Sequence, residues 1–149
     1  MFRRHPVLSA ITLAYLAVVG WLTLGPQPLD DHGDGLLRRV LEELDRHPAT
    51  AWVTYSGVEF AANILMFVPA GLFFLLLLGR RRWVLAVLLG LAMTCAIEAA
   101  QLLLPDRVSD PRDIVANSLG GLLGVLVALR WTRPRRKRRA RAERARPGW

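Results

Sequence analysis

Four stretches of this chain are apolar for about the length that crosses a bilayer core, roughly twenty residues of helix. They are Pro6–Gly25, Val58–Gly79, Trp83–Leu104 and Asp113–Trp131. A soluble four-helix bundle would carry polar residues at every turn of every helix. Here Gly71–Gly79 and Val84–Ala92 carry none. The pattern predicts an all-α integral membrane bundle of four transmembrane helices. A cleaved signal peptide is the competing reading of the first stretch. It would have a shorter apolar region ending in a small-x-small site, whereas this one ends in Trp21-Leu-Thr-Leu-Gly-Pro, so an uncleaved anchor is expected. Pro69 sits mid-span and predicts a local kink, because it has no N–H for the carbonyl four residues back.

The long connection between the first two spans has a different period. Leu36, Leu37, Val40, Leu41 and Leu44 recur at helical spacing, opposite Arg38, Arg39, Glu42, Glu43, Asp45 and Arg46. This predicts a short amphipathic helix, too polar to span, in the first extracytoplasmic loop.

Charge then orients the bundle. The chain is 53% hydrophobic with a formal net charge of +8. Arg3, Arg4, Arg80–Arg82 and the residues from Arg130 onward fall on one side of a four-span topology, and all acidic residues except Glu143 fall on the other. The positive-inside rule places both termini in the cytoplasm. Residues 1–132 form the membrane domain, and 133–149 a basic, disordered tail suited to anionic lipid headgroups rather than nucleic acid. His5, His32, His47 and Cys95 have no ligand spacing, so neither a metal nor a cofactor is expected.

This topology brings the polar residues within the spans to a common depth. Glu59 and Asn63 open the second span, Glu98 and Gln101 close the third, and Asp113 and Asn117 open the fourth. Three helices therefore each supply an acid–amide pair near the outer face, with Arg107 and Asp110 in the turn above. Ionisable residues inside a membrane are costly and point to a functional site, although such groups also bond across helices to fix packing. Glu98 is the deepest carboxylate, and Arg107 or Arg112 is its candidate partner. Thr94, Glu98 and Gln101 share one face of the third span, while Ala92, Ala96 and Ala100 line another. Gly71, Gly120, Gly121 and Gly124, with Pro69, are read as packing positions. A faint repeat relates Glu59-Phe-Ala-Ala-Asn63-Ile-Leu to Asp113-Ile-Val-Ala-Asn117-Ser-Leu, with chance as the alternative.

Asn63-Ile-Leu-Met-Phe67-Val-Pro69-Ala-Gly71, then Glu98-Ala-Ala-Gln101, then Arg107-x-x-Asp110-x-x-Asp113-x-x-x-Asn117-x-x-Gly120-x-x-x-Gly124 resemble the VanZ-like family of small bacterial membrane proteins. That family takes its name from a glycopeptide-resistance protein that lowers sensitivity to teicoplanin. The resemblance implies a cell-envelope role without a settled mechanism. Together with the polar cluster, it leads to an expected outward pocket for an envelope amphiphile, either a lipid-linked wall precursor or a lipoglycopeptide. An intramembrane acid–base enzyme is the alternative. It is disfavoured because no serine or cysteine nucleophile with an adjacent base is visible.

Overall fold

The computed structural model describes residues 6–25, 39–44, 46, 47, 50, 53–104 and 110–132. They build an all-helical structure: α1 (Pro6–Leu24), α2 (Tyr55–Leu78), a 3₁₀ turn (Arg80–Arg82), α3 (Trp83–Gln101) and α4 (Pro111–Trp131). All four α-helices are long and apolar enough to cross a membrane. Residues 39–44 are also helical, with an Arg46–Glu43 ion pair at 2.8 Å. The rest of the amphipathic segment, including Leu36, Leu37 and Asp45, lies outside the described residues, as do Arg107 and the 133–149 tail.

Local chemistry sets the helix ends. Thr54 caps α2, its side-chain oxygen accepting from the Gly57 N–H at 3.1 Å. Gly79 ends α2 at φ +81, a conformation that favours glycine, and the Arg80–Arg82 turn follows at once. α4 begins two residues earlier than its apolar run suggests. Asp110 is its N-cap and Pro111 its first residue, where a missing N–H costs nothing because that group has no intrahelical partner anyway. α2 runs uninterrupted through Pro69.

The burial pattern is that of a protein in lipid. On α3 the large side chains Val84, Leu85, Leu88, Leu89 and Leu91 face outward. Its buried residues are Ala86, Gly90, Thr94, Ile97, Glu98 and Gln101. Lipid tails are as apolar as leucine, so no hydrophobic effect drives the large side chains of α3 inward. Small and polar residues make the helix contacts instead.

The most extensive contact joins α2 to α4. A Cβ at Gly120 would overlap the Ile64 carbonyl oxygen, one at Gly124 the Val68 carbonyl oxygen, and one at Gly71 the Gly121 backbone. At each glycine a hydrogen therefore points at the neighbouring backbone, the arrangement of Cα–H···O contacts between close helices. Residue numbers rise together from Asn63–Asp113 through Ile64–Gly120 to Val68–Gly124, so α2 and α4 run parallel. Gly121 differs, since a Cβ there would meet nothing within 4 Å. Beside this seam Leu75, Ala86, Val125 and Ala128 form an apolar core cluster. Arg80 donates to the Leu129 carbonyl, one of the last-turn oxygens that α4 cannot satisfy itself. α1 packs along α2 and α3, with Val19 buried beside Phe67 and Ile97.

Candidate functional site

The polar residues gather at the end of the bundle opposite Arg80–Arg82. α3 supplies Thr94, Glu98 and Gln101, spaced four and three apart and so on one face. All three point inward, at 0%, 4% and 8% exposure. Ala92 and Ala96 face outward and Ala100 is half-buried, so the small-residue stripe of this helix lies away from its polar contacts.

Glu98 Oε2 accepts the backbone N–H of Asp110 at 3.1 Å. This bond is unusual in origin. In a capping box, the third residue of a helix returns its side chain to the N-cap N–H. The third residue of α4 is Asp113, and its Oδ1 instead accepts from Asn63 Nδ2 of α2 at 2.7 Å. A carboxylate from α3 takes the vacated N–H. Asp110 completes its own cap, accepting from the Arg112 N–H at 2.8 Å. The first turn of α4 is thus tied to α2 through Asp113 and to α3 through Glu98.

One turn deeper, Asn117 Nδ2 donates to Thr94 Oγ1 at 3.0 Å, with Asn117 at 3% exposure. Gln101 Nε2 donates to the Thr23 carbonyl at 3.0 Å and ties α3 to α1. The Arg112 guanidinium donates to Ser56 Oγ at 2.6 Å at the mouth of α2. Glu59 is exposed. Glu59, Glu98 and Asp110 all lie within electrostatic range of Asp113.

Asn63, Glu98, Asp110 and Asp113 are therefore linked by hydrogen bonds between α2, α3 and α4, with the Asn117–Thr94 pair one turn deeper. Gln101 extends the cluster toward α1, Glu59 sits at its exposed edge, and Arg107 is outside the described residues. The two amides of the faint repeat have different partners, one carboxylate and one hydroxyl. Thr94 and Ser56 were not among the residues singled out for the site. Thr94 had a signal, its shared face with Glu98, whereas Ser56 had none, since its bond depends on how two helix mouths meet. Among the described residues, no three His, Cys, Asp or Glu side chains are grouped to hold a metal ion.

The VanZ/LLP1 family model matches residues 12–132, which covers all four spans apart from the first turns of α1. The chain belongs to this family. As a VanZ/LLP1 protein with four candidate spans, it is a multi-pass membrane protein. The searches of curated proteins and of solved structures gave no match.

Proposed function

We propose that this VanZ/LLP1 protein binds a cell-envelope amphiphile in a polar pocket at the carboxylate end of α2, α3 and α4, facing outward from a bacterial plasma membrane. The ligand is a lipid-linked wall precursor or a lipoglycopeptide, and binding lowers sensitivity to teicoplanin-type glycopeptides. One observation carries this reading: Glu98 is buried at 4% exposure, yet its span is otherwise without charge. A carboxylate held there is costly, and such residues mark ligand or ion paths in membrane proteins. The surrounding large apolar side chains offer a lipid-facing surface along which an acyl tail can lie while its headgroup reaches the pocket.

The test is binding of a labelled lipid-linked precursor and of teicoplanin to purified protein in nanodiscs, beside glycopeptide sensitivity of cells. Saturable binding of either ligand that Glu98→Gln abolishes is expected. Binding of neither would end this reading. The buried carboxylate also suits an acid–base enzyme, and conversion of the precursor to a product in the same incubation would favour that assignment. Orientation has its own check. Both termini belong in the cytoplasm, so single cysteines introduced near residues 2 and 145 into a Cys95→Ala background should resist impermeant thiol reagents in intact cells. Labelling of either would overturn the topology.

A further inference from the structure

The three buried or half-buried amides of the network all use their nitrogens inside the protein. Asn63 donates to Asp113, Asn117 to Thr94, and Gln101 to the Thr23 carbonyl. Two of their oxygens, Asn117 Oδ1 and Gln101 Oε1, are buried and make no hydrogen bond among the described residues. Both belong to side chains more than nine-tenths buried. They also flank the carboxylates. Asn117 lies one turn below Asp113 and is joined to Thr94, which lies one turn below Glu98, so this pair forms the floor beneath the acidic residues. Gln101 lies one turn above Glu98 on the same face. Above the floor are Glu98, Asp113, Asp110 and the exposed Glu59, and the cation described beside them, Arg112, is directed at Ser56.

Among the described residues, these amides therefore keep their donors within the protein, and two of them leave an acceptor open. A buried amide oxygen without a donor is unfavourable, and a ligand N–H relieves it. A phosphate or carboxylate would add acceptors and negative charge to a place that has both. We infer that the group entering this pocket is a primary ammonium, which combines positive charge with three N–H donors. This rests on the proposed pocket and specifies which part of the amphiphile it recognises: the amine, with any phosphate left outside toward Arg112. A peptide-stem amine of a wall precursor, the amine of a lipoglycopeptide and an aminolipid headgroup all present this chemistry.

The probes are a lipid-linked disaccharide-peptide precursor and teicoplanin, each with its amines free or acetylated, and vesicles of phosphatidylethanolamine or phosphatidylcholine. Phosphatidylcholine keeps the cationic nitrogen but has no N–H. Binding is read on the full chain in nanodiscs. Acetylation is expected to weaken the ligand that binds by at least about tenfold, as loss of matched donors does in a site built for them. Asn117→Leu and Gln101→Met, close in shape but without the oxygen, should shrink that ratio. The comparison of free and acetylated ligand on wild type needs no variant, so a poorly folding Asn117→Leu leaves the test intact. Equal binding of free and acetylated forms would overturn the ammonium while the pocket stands. Binding of no precursor, glycopeptide or lipid would remove both. Preference for phosphatidylethanolamine over phosphatidylcholine, lost in Gln101→Met, would support the ammonium and identify its source as a membrane lipid.

Discussion

The two ends of the α2–α4 pair are held by different physics. Toward Arg80–Arg82 the helices touch backbone to backbone at Gly71, Gly120 and Gly124, beside a core of Leu75, Ala86, Val125 and Ala128. Toward the opposite end they are joined by Asn63–Asp113, and α4 is joined to α3 by Glu98–Asp110 and Asn117–Thr94. The first end has no room for another methyl group at those glycines. The second is directional, and two of its amide oxygens, on Asn117 and Gln101, accept no hydrogen bond among the described residues. A membrane protein loses stability when the first kind of contact is overfilled, and it can lose function at the second kind with its fold intact. The contrast separates the anchor of the bundle from the end proposed to bind a ligand.

Filling the seam should produce the largest stability effect. Gly71→Ala puts a methyl group into the Gly121 backbone, and overpacking of this kind costs about 1–3 kcal/mol. Gly124→Val adds more volume against Val68 and is expected at the upper end or beyond folding. Unfolding in mixed detergent should show both. A Gly71→Ala protein as stable as wild type would mean that the helices are not in backbone contact.

At the other end, Glu98→Ala leaves the Asp110 N–H without its acceptor and should cost about 1–3 kcal/mol. Glu98→Gln keeps an oxygen there and removes the charge. Its stability should stay within about 1 kcal/mol of wild type, while ligand binding and glycopeptide tolerance are lost. If Glu98→Gln retained both activities, the carboxylate would be a cap and nothing more. A smaller effect is expected from the Asn63–Asp113 bond. A double-mutant cycle with Asn63→Leu and Asp113→Asn should give a coupling of about 0.6 kcal/mol, the mean for bonds between membrane helices, and not more than about 1.7 kcal/mol. Coupling near zero would place the two side chains apart. The smallest change belongs to Gly121→Ala, where the added Cβ meets open space, and a shift within about 0.5 kcal/mol is expected. A large loss there would erase the distinction between Gly121 and its neighbours.

Much of this arrangement was legible in the residue pattern. Length and hydropathy located four spans to within a few residues, because four apolar runs of about twenty residues in so short a chain leave no soluble core large enough to bury them. Helical spacing put Thr94, Glu98 and Gln101 on one face and the alanines on another, and the cost of burying charge in lipid favours turning the polar face inward. The start of α4 was also written in the chain as Asp110-Pro111, an N-cap followed by a first-turn proline, but an apolar run is a stronger signal than a cap and hid it. What spacing cannot supply is register between helices. That Asn63 reaches Asp113 rather than its repeat counterpart Asn117, and that Gly121 is roomy while Gly120 is not, follow from how two helices cross. The crossing is fixed by contacts between residues about 50 apart.

The attachment of α1 has a consequence for assembly in the cell. Its threonines are self-sufficient, Thr12 and Thr23 donating to carbonyls four residues back. Tyr15 is not, since its hydroxyl donates to the Met66 carbonyl and its ring lies edge-on to Phe73 at 5.6 Å. The Thr23 backbone carbonyl waits longer still for the Gln101 amide, 78 residues downstream. At ribosomal speeds of about 5–20 residues per second, that interval is roughly 4–16 s. The Tyr15–Met66 interval is shorter, 51 residues or roughly 2.5–10 s at the same speeds, and during it the first helix enters the bilayer with a phenol whose acceptor has yet to be made. Nascent chains cut short before Met66 should therefore hold α1 loosely, open to capture by the insertion machinery or by lipid headgroups. Chains carrying Tyr15→Phe should show no such difference between early and late stages of synthesis when crosslinked from α1.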